Sequence, residues 1–261
     1  MNAIHETNRK GAAQDKTSQG SIAVENVKKS FGAQKVLNGV SLQATHGETL
    51  VVLGRSGTGK SVLLRLLIGL QKPDSGSIEI SGKEITKLDG KPLNEIRKTM
   101  GFLFQQGALY DSLTVGENVE FPLRQHTTLS DQDRKNKAKE LLASVGMEKD
   151  LDKMPSEISG GMQKRVGLAR ALALDPEILL LDEPSAGLDP ITSTEIGKLI
   201  SKLQKERQAT SVVVTHDLAG ARHFADRLVM LNEGSVVIEG TFDDLEKSKD
   251  PFVVQFLADA D

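Results

Sequence analysis

Short apolar stretches alternate with longer amphipathic ones along most of the chain, and this alternation predicts the order of its elements. A continuous apolar run such as residues 178–181 is typical of a strand buried in a parallel sheet. Strands that alternate with helices imply an α/β fold whose sheet is mainly parallel. We expect strands at residues 21–27, 36–44, 48–54, 75–82, 99–105, 177–184 and 210–217, a hairpin at 227–240, and helices at 59–70, 130–146, 162–174 and 190–206.

The alternation is interrupted between about residues 107 and 158, where the chain becomes polar and helical. This interval predicts a helical insertion in the α/β core, with residues 130–146 as its clearest amphipathic helix. Residues 1–20 are polar and have no apolar centre, so we expect a disordered tail without a secretory signal. Residues 21–261 are then expected to form one domain that ends in a short amphipathic helix near residues 251–257.

The composition of the chain narrows the classes of function that it can have. The 261 residues carry a formal net charge of −3, so the charge balance gives no reason to expect binding to nucleic acid. There is no cysteine, which excludes disulfides and thiolate metal ligands. No apolar run approaches the ~20 residues that cross a bilayer. We therefore expect no direct membrane insertion, and any membrane role would depend on a partner.

The stretch GRSGTGKS, from Gly54 to Ser61, has the glycine spacing of a phosphate-binding loop. An apolar strand precedes it and a helix follows it, so main-chain N–H groups and the helix N-terminus can face phosphate oxygens. Lys60 can reach the β- and γ-phosphates of ATP, and the Ser61 hydroxyl can bind Mg²⁺. A chance glycine-rich turn is the alternative. The predicted ATP-binding residues are Gly54, Arg55, Ser56, Gly57, Thr58, Gly59, Lys60, Ser61 and Val62.

Two carboxylates lie at the end of the apolar strand at residues 177–184. Neighbouring residues of a strand point in different directions, so Asp182 can face the metal while Glu183 faces a water near the γ-phosphate. We interpret Glu183 as the general base or the group that orients this water. The alternative is a helix-capping or surface carboxylate. His216 ends another apolar strand and is a candidate to contact the γ-phosphate or the attacking water, although a lone histidine is more often structural.

A further motif, ISGGMQKR at residues 158–165, precedes a predicted helix. Together with the phosphate loop, Gln105, LLLDEPSAGLDP at residues 179–190 and VVVTHD at residues 212–217, it resembles the ATPase subunit of ABC transporters over about residues 21–245. The resemblance implies ATP hydrolysis, with ATP and Mg²⁺ as cofactors. It also implies a P-loop NTPase (RecA-like) core with a mainly parallel sheet, an N-terminal antiparallel β subdomain and a helical insertion.

The resemblance further implies a homodimer in which two chains hold ATP between them. Ser159, Gly160 and Gly161 would face the nucleotide bound by the opposite chain. Ser159 has the character of an N-cap, and the helix after it would present N–H donors to the γ-phosphate. Asp189, within SAGLDP, would lie at the dimer interface.

Two other residues are expected to complete the nucleotide site through the same resemblance. Phe31 would stack on the adenine ring, unless it is a core phenylalanine. Gln105, in the stretch FLFQQ, would contact Mg²⁺ or the attacking water and would move with the insertion. Gln106 is expected to be an exposed loop residue.

The segment GALYDSLTVGENVEFPL follows the two glutamines and is expected to line a groove where a membrane permease docks a short helix. Its apolar residues Leu109, Tyr110, Leu113 and Val115 are candidates for this docking surface. The alternative is that these side chains pack within the insertion itself.

The same segment is similar to that of ATPase subunits in MCE-associated lipid transporters, the type that maintains outer-membrane lipid asymmetry, and G-A-L is its most telling part. This similarity implies a phospholipid-transport motor at the cytoplasmic face of the bacterial inner membrane. Its partners would be an integral membrane permease and an MCE-domain substrate-binding protein. The alternatives are the ATPase of an amino-acid-like small-solute importer, a soluble ABC ATPase outside transport, and a non-enzymatic nucleotide switch.

Overall fold

The computed structural model of the chain describes residues 21–259, so the tail predicted at residues 1–20 lies outside the described residues. The strands are β1 (Ile22–Phe31), β2 (Gln34–Ala44), β3 (Thr49–Leu53), β4 (Ser75–Ile80), β5 (Lys83–Glu84), β6 (Met100–Leu103), β7 (Ile178–Asp182), β8 (Thr210–Thr215), β9 (Arg227–Asn232) and β10 (Ser235–Gly240). The helices are α1 (Lys60–Leu67), α2 (Gly90–Arg97), α3 (Val115–His126), α4 (Asp131–Ser144), α5 (Gly160–Ala171), α6 (Pro190–Arg207), α7 (Leu218–Ala221), α8 (Phe242–Glu246) and α9 (Pro251–Ala258), with a 3₁₀ turn at Pro155–Glu157.

The strands form an antiparallel sheet near the N-terminus and a second, mainly parallel sheet. The antiparallel sheet has the order β2-β1-β4-β5, and the second sheet has the order β10-β9-β3-β8-β7-β6. In the second sheet, β3 pairs in parallel with β8 and β9, and β7 pairs in parallel with β8 and β6. The pairing of β9 with β10 is antiparallel. This architecture confirms the predicted α/β fold class with its N-terminal antiparallel β subdomain.

The central strand β3 is buried along its whole length, which explains its apolar run from Leu50 to Leu53. Because side chains alternate along a strand, Leu50 and Val52 join one hydrophobic cluster, with α1, whereas Val51 and Leu53 join another cluster that extends into the insertion. Both faces of the sheet are therefore covered. The carboxyl ends of β3, β7 and β8 meet at one edge of this sheet, so the loops that follow these strands lie close together.

The helical insertion contains α3 and α4, which pack against each other and against α5. A capping box starts α3: the Thr114 hydroxyl accepts from the Glu117 N–H, and the Glu117 carboxylate accepts from the Thr114 N–H. The insertion was predicted, but α3 was not separated from the loop before it, because Gly116 and Pro122 are poor helix formers. The capping box outweighs them, and Pro122 lies within the helix.

The ends of the predicted helices lie within three residues of the observed ends. α5 begins two residues earlier than predicted, at Gly160, because the Ser159 hydroxyl accepts a hydrogen bond from the Met162 N–H and caps the helix. α9 spans Pro251–Ala258, close to the predicted range of 251–257. Within residues 21–259, none of the helices is long and apolar enough to cross a bilayer.

Candidate active site

Lys60, the first residue of α1, bonds back to the loop that joins β3 to α1. The Lys60 ammonium donates to the main-chain carbonyl oxygens of Gly54 at 2.7 Å and Arg55 at 3.1 Å. Gly59 has a φ of 97°, and a Cβ at this position would lie 2.7 Å from Leu37 Cδ2. Only glycine fits there, because the main chain is in the left-handed region and has no room for a side chain.

Asp182, the last residue of β7, meets the first turn of α1. The Ser61 hydroxyl donates to Asp182 Oδ1 at 2.8 Å. Burial raises the pKa of Asp182, and the hydrogen bond from Ser61 opposes this shift. Hydroxyl and carboxylate oxygens are ligands that Mg²⁺ prefers. Ser61 and Asp182 therefore fit the predicted magnesium site.

Glu183 follows β7 in a strained main-chain conformation. Its φ is 47°, in the left-handed region that most side chains avoid, and its N–H donates to the Val214 carbonyl oxygen at 2.9 Å. Glu183 Oε1 lies 3.4 Å from the Lys60 ammonium, and both side chains are more than nine-tenths buried. Burial lowers the pKa of Lys60, while the Glu183 and Asp182 carboxylates oppose this shift.

His216, the residue after β8, contacts the other oxygen of Glu183. His216 Nδ1 lies 2.9 Å from Glu183 Oε2, and the His216 main-chain N–H donates to the same oxygen at 3.3 Å. An ionised carboxylate only accepts, so Nδ1 is the donor in this pairing. Because the His216 side chain is 54% exposed, it connects the buried carboxylate to the open side of the site.

An open cavity of about 360 Å³ brings most of the predicted nucleotide residues together. Phe31 lines this cavity and is 47% exposed, so it is not the core phenylalanine of the alternative interpretation. Gly54, Arg55 and Thr58 belong to the loop but do not line the cavity. The lining residues are Phe31, Val36, Ser56, Gly57, Gly59, Lys60, Ser61, Val62, Gln105 and Glu183.

The side chain of Arg55 leaves the phosphate loop and reaches the C-terminal end of the described chain. Its guanidinium donates to Asp259 Oδ2 at 2.8 Å and lies 5.7 Å from the centroid of the Phe252 ring, on α9. Arg55 contributes its main-chain carbonyl to the loop, where Lys60 binds it. Its predicted role toward ATP is therefore limited to the main chain.

Ser159, Gly160 and Gly161 do not line this cavity, so a single chain does not bring them to its own phosphate loop. Ser159 and Gly160 are exposed, whereas Gly161 is buried, and a Cβ on it would lie 2.7 Å from Thr192 Cγ2. Asp189 is exposed and caps α6, accepting from the Thr192 N–H at 3.0 Å. Placement of these residues at a second chain's nucleotide stays a prediction.

Lys164, on α5, is a buried cation that the sequence analysis did not select. It is 5% exposed, and its ammonium donates to the main-chain carbonyl oxygens of Gln105 and, at 3.1 Å, Glu183. Burial lowers the pKa of Lys164, and the Asp182 and Glu183 carboxylates oppose this shift. Its partners lie 59 and 19 residues away in sequence, so no local pattern reveals them.

Asp217, next to His216, links the loop after β7 to α6. Its carboxylate accepts from the hydroxyls of Ser185 and Ser193, both at 2.8 Å, and from the Gly220 N–H at 2.8 Å. Burial alone would raise the pKa of Asp217, but these hydrogen bonds outweigh burial and lower it. The only signal in the sequence was its place beside the histidine at a strand end.

A second cavity, of about 450 Å³, is lined by residues of α2, β6, α3, α5, the loop between β6 and α3, and the turn after α5. It contains two aromatic pairs: Phe102 with Phe104, at 4.3 Å between ring centroids, and Tyr110 with Phe121, at 4.7 Å. These pairs give the cavity an apolar floor beside basic groups. The basic residues that line it are Arg97, His126 and Arg170.

Of the four apolar residues expected at a docking surface, only Tyr110 lines this second cavity. Tyr110 is 46% exposed. Val115 is fully buried, so its prediction as a surface residue is wrong; it begins α3 and packs into the core. Leu109 is half-buried and packs against the same core, and Leu113 is half-buried outside the cavity.

Asn118 gives the irregular loop before α3 a fixed shape. It is fully buried, and its Oδ1 accepts from the Tyr110 N–H at 2.8 Å. Its Nδ2 donates to the carbonyl oxygens of Tyr110, Leu113 and Thr114 at 3.1, 3.0 and 2.9 Å. The Tyr110 and Thr114 carbonyls also accept from the main-chain N–H groups of Leu113 and Asn118, whereas the Tyr110 N–H and the Leu113 carbonyl are bonded by the Asn118 amide.

Replacing Asn118 with alanine is expected to lower the free energy of unfolding by about 2–4 kcal/mol, because the Tyr110 N–H and the Leu113 carbonyl would lose their bonds to this buried amide. Urea denaturation followed by circular dichroism would show a lower midpoint at an unchanged slope. Asn136→Ala is the control, since Asn136 is exposed on α4 and should change stability by less than about 0.5 kcal/mol. Equal losses in the two variants would contradict the role given to Asn118.

The model of one protein family, described as ABC transporter, matches residues 37–186 of this chain. Among solved structures, a dimeric post-hydrolysis state of the ATP-binding cassette MJ0796, bound to ADP and Pi, superposes with a TM-score of 0.78. It is 37% identical in sequence, and the superposition covers 84% of this chain and 98% of that chain.

Relatives of this chain include ATP-binding proteins of transport systems that are named for different substrates. The probable ribonucleotide transport ATP-binding protein mkl of Mycobacterium tuberculosis is 46% identical over 91% of this chain, which spans 66% of the length of that relative. The intermembrane phospholipid transport system ATP-binding protein MlaF of Haemophilus influenzae is 39% identical over 92% of this chain and 91% of its own length. The methionine import ATP-binding protein MetN of Brucella abortus is 39% identical over 86% of this chain and 60% of its own length.

Proposed function

This chain belongs to the ABC transporter family, and we propose that it is the ATP-hydrolysing motor of a system that moves phospholipid between membranes. As a member of the family it is an ATPase that binds ATP. The proposal that the substrate is phospholipid rests on the match to MlaF, which extends over 91% of the length of that phospholipid transport protein at 39% identity. The matches to mkl and MetN extend over 66% and 60% of those proteins.

The geometry around Glu183 supports its proposed role as the general base. The carboxylate lines the nucleotide cavity, so it can accept a proton from the water that attacks the γ-phosphorus. His216, 2.9 Å from one carboxylate oxygen, holds the side chain in this orientation. Lys60 is 3.4 Å from the other oxygen and can turn to the β- and γ-phosphates when ATP enters.

Ser61, Asp182 and the side-chain oxygen of Gln105 would hold Mg²⁺. The hydroxyl and the carboxylate already lie 2.8 Å apart, and Gln105 lines the same cavity. When bound, the metal ion would neutralise charge on the β- and γ-phosphates. Phe31 offers an exposed ring at the same cavity, on which adenine would stack.

A homodimer would complete each nucleotide site. Ser159 and Gly160 are exposed at the start of α5, a helix of 12 residues whose first N–H groups can face an anion. Asp189 lies at the start of α6, beside Ile191, which is 75% exposed. These exposed groups are available to a second copy of the chain, and the dimeric cassette MJ0796 supports this arrangement. Gly161 is buried and, having no side chain, would act through its main chain.

An integral membrane permease would dock at the second cavity, at the cytoplasmic face of the bacterial inner membrane. The cavity combines exposed aromatic rings with basic side chains, so it suits a short helix with apolar and acidic residues. Tyr110 is the exposed anchor of this surface. An MCE-domain protein would be the substrate-binding partner of this permease.

A small-solute importer is the second candidate. It is favoured by the match to MetN, whose 39% identity equals that of MlaF. The two candidates use the same nucleotide site and differ in the membrane and substrate-binding partners. Identification of those partners therefore separates them.

Affinity purification of the tagged chain from detergent-solubilised membranes of its native host tests this proposal. We expect an integral membrane protein, an MCE-domain protein and phospholipid to be recovered, as identified by mass spectrometry. The Tyr110→Asp variant should no longer recover the membrane protein, because it places a charged group where an aromatic ring packs beside Phe121. Leu129→Asp is the matched control, since Leu129 is 38% exposed and lies outside the cavity. Recovery of a solute permease without phospholipid would refute lipid transport.

A further inference from the structure

The loop between β6 and α3 is fastened to α5 by two basic side chains. Lys164 donates to the main-chain carbonyl oxygen of Gln105. Arg170 donates to the carbonyl oxygens of Gly107 and Ala108, both at 2.8 Å. Three carbonyl groups of one short loop are thus bound to a single helix, and that helix begins beside Ser159.

The same loop also packs closely against α5. A Cβ on Gly167 would lie 2.8 Å from Leu103 Cδ1 and 3.5 Å from Gly107 Cα, and a Cβ on Gly107 would lie 3.3 Å from the Gln163 carbonyl oxygen. Glycine at positions 107 and 167 permits this close approach. Loop and helix are therefore positioned as one unit.

Lys164 differs from Arg170 because it also reaches the strand end that carries the proposed base. Its ammonium donates to the Glu183 carbonyl oxygen at 3.1 Å. Glu183 is held in a left-handed conformation with a φ of 47°, and a hydrogen bond to its carbonyl helps to keep the main chain there. At 5% exposure, Lys164 is screened from water, so both hydrogen bonds form in a setting where such bonds are strong.

We propose that Lys164 is a positioning residue for ATP hydrolysis, because its ammonium fixes the main chain at Gln105 and at Glu183 to the same helix. The inference rests on the roles proposed for Gln105 and Glu183. A displacement of α5 would reach both residues through Lys164, although neither of their side chains is part of this bridge. Helix α5 thereby connects the residues at its exposed N-terminus to the hydrolytic groups of its own chain.

Lys164→Met in the full chain tests this inference, because methionine fills a similar volume without donating a hydrogen bond. We expect kcat for ATP hydrolysis to fall by about 10- to 100-fold, as for a small misplacement of reacting groups. The ATP dissociation constant should stay within about threefold, since the bonds of Lys164 lie outside the phosphate loop. Lys164→Arg can donate to both carbonyl oxygens and should recover most of kcat.

Two further variants serve as controls. Lys139→Met removes an exposed lysine on α4 and should leave kcat within about twofold. Arg170→Met removes the hydrogen bonds to the carbonyls of Gly107 and Ala108 but leaves the bond from Lys164 to the Glu183 carbonyl intact. The kcat of Arg170→Met should therefore exceed that of Lys164→Met. Thermal midpoints are measured for every variant, because a purely structural residue would lower the midpoint and leave the kcat of folded protein unchanged.

A lower kcat at unchanged ATP affinity, restored by Lys164→Arg, supports the inference. It is overturned by a kcat for Lys164→Met within about twofold of the unaltered chain, by an equal loss of ATP affinity, or by failure of Lys164→Arg to restore turnover. If Lys164→Met does not fold, Lys164→Leu, which likewise donates no hydrogen bond, is judged by the same criteria. An active Glu183→Gln variant would overturn the role of Glu183 together with this inference. An inactive Glu183→Gln beside a fully active Lys164→Met overturns the inference alone.

Discussion

Replacing Glu183 with glutamine is expected to lower ATP turnover by at least about 100-fold while ATP still binds. Glutamine has nearly the same shape but cannot accept a proton from the attacking water. The main chain at this position is held by the bond to the Val214 carbonyl, and glutamine can adopt the same conformation at similar cost. The substitution therefore tests the chemistry of the side chain. Phosphate release measures turnover, and titration with a fluorescent ATP analogue measures affinity.

Glu206→Gln is the matched control for this experiment. It removes a negative charge from an exposed position on α6, and its turnover should stay within about twofold. Because the Glu183→Gln variant is expected to bind ATP without hydrolysing it, it should accumulate as the ATP-bound dimer. Size-exclusion chromatography in the presence of ATP would detect this dimer. Turnover above about a tenth of the normal rate would show that another group acts as the base.

The phosphate loop and the strand-end carboxylates could be predicted because their signals are local. The loop from Gly54 to Ser61 is defined by its glycine and lysine spacing. Asp182 and Glu183 directly follow an apolar run that could only be a buried strand or a buried helix, and its short length favours a strand. In the structure, the edge of the parallel sheet then brings these segments to one cavity.

Lys164 and Asn118 could not be selected from the sequence, because their partners are main-chain atoms. A lysine in a helix is usually exposed, and an asparagine near a helix start usually faces solvent. Lys164 bonds to segments 59 and 19 residues away in sequence, whereas Asn118 bonds to the loop four to eight residues before it. In both cases the acceptors include main-chain carbonyls, which leave no mark on residue type. Arg55 could be placed in the phosphate loop from the motif, but the motif does not indicate the direction of its side chain, which bonds to Asp259.

The surface of the insertion was only partly predicted, because the register of α3 decides which residues face inward. Val115 is apolar in a segment that was predicted to form a docking surface, yet it is the first residue of the helix and is buried in the core. The pattern T-x-x-E at Thr114 and Glu117 marks this helix start. With the start fixed, the period of 3.6 residues separates buried positions such as Val119 from exposed ones.

Replacing Lys60 with methionine is expected to weaken ATP binding by about 2–4 kcal/mol, or roughly 30- to 700-fold. The ammonium would make charge-assisted hydrogen bonds to the β- and γ-phosphates, which methionine cannot replace. The loss is smaller than the full value of those bonds, because without nucleotide the ammonium already binds Gly54, Arg55 and Glu183. Fluorescent-ATP titration gives the dissociation constant.

Lys72→Met is the control for charge, since Lys72 is 53% exposed and pairs with Asp89 at the surface; its ATP affinity should be unchanged. Lys60→Met also leaves the buried Glu183 carboxylate without its cation, so the nucleotide-free variant should unfold at a lower urea concentration. Adding Glu183→Gln removes that unpaired charge and should recover part of the lost stability, while ATP affinity stays low. If the second substitution restored affinity as well, the loss in Lys60→Met would come from Glu183 repelling the phosphates and not from a missing phosphate contact.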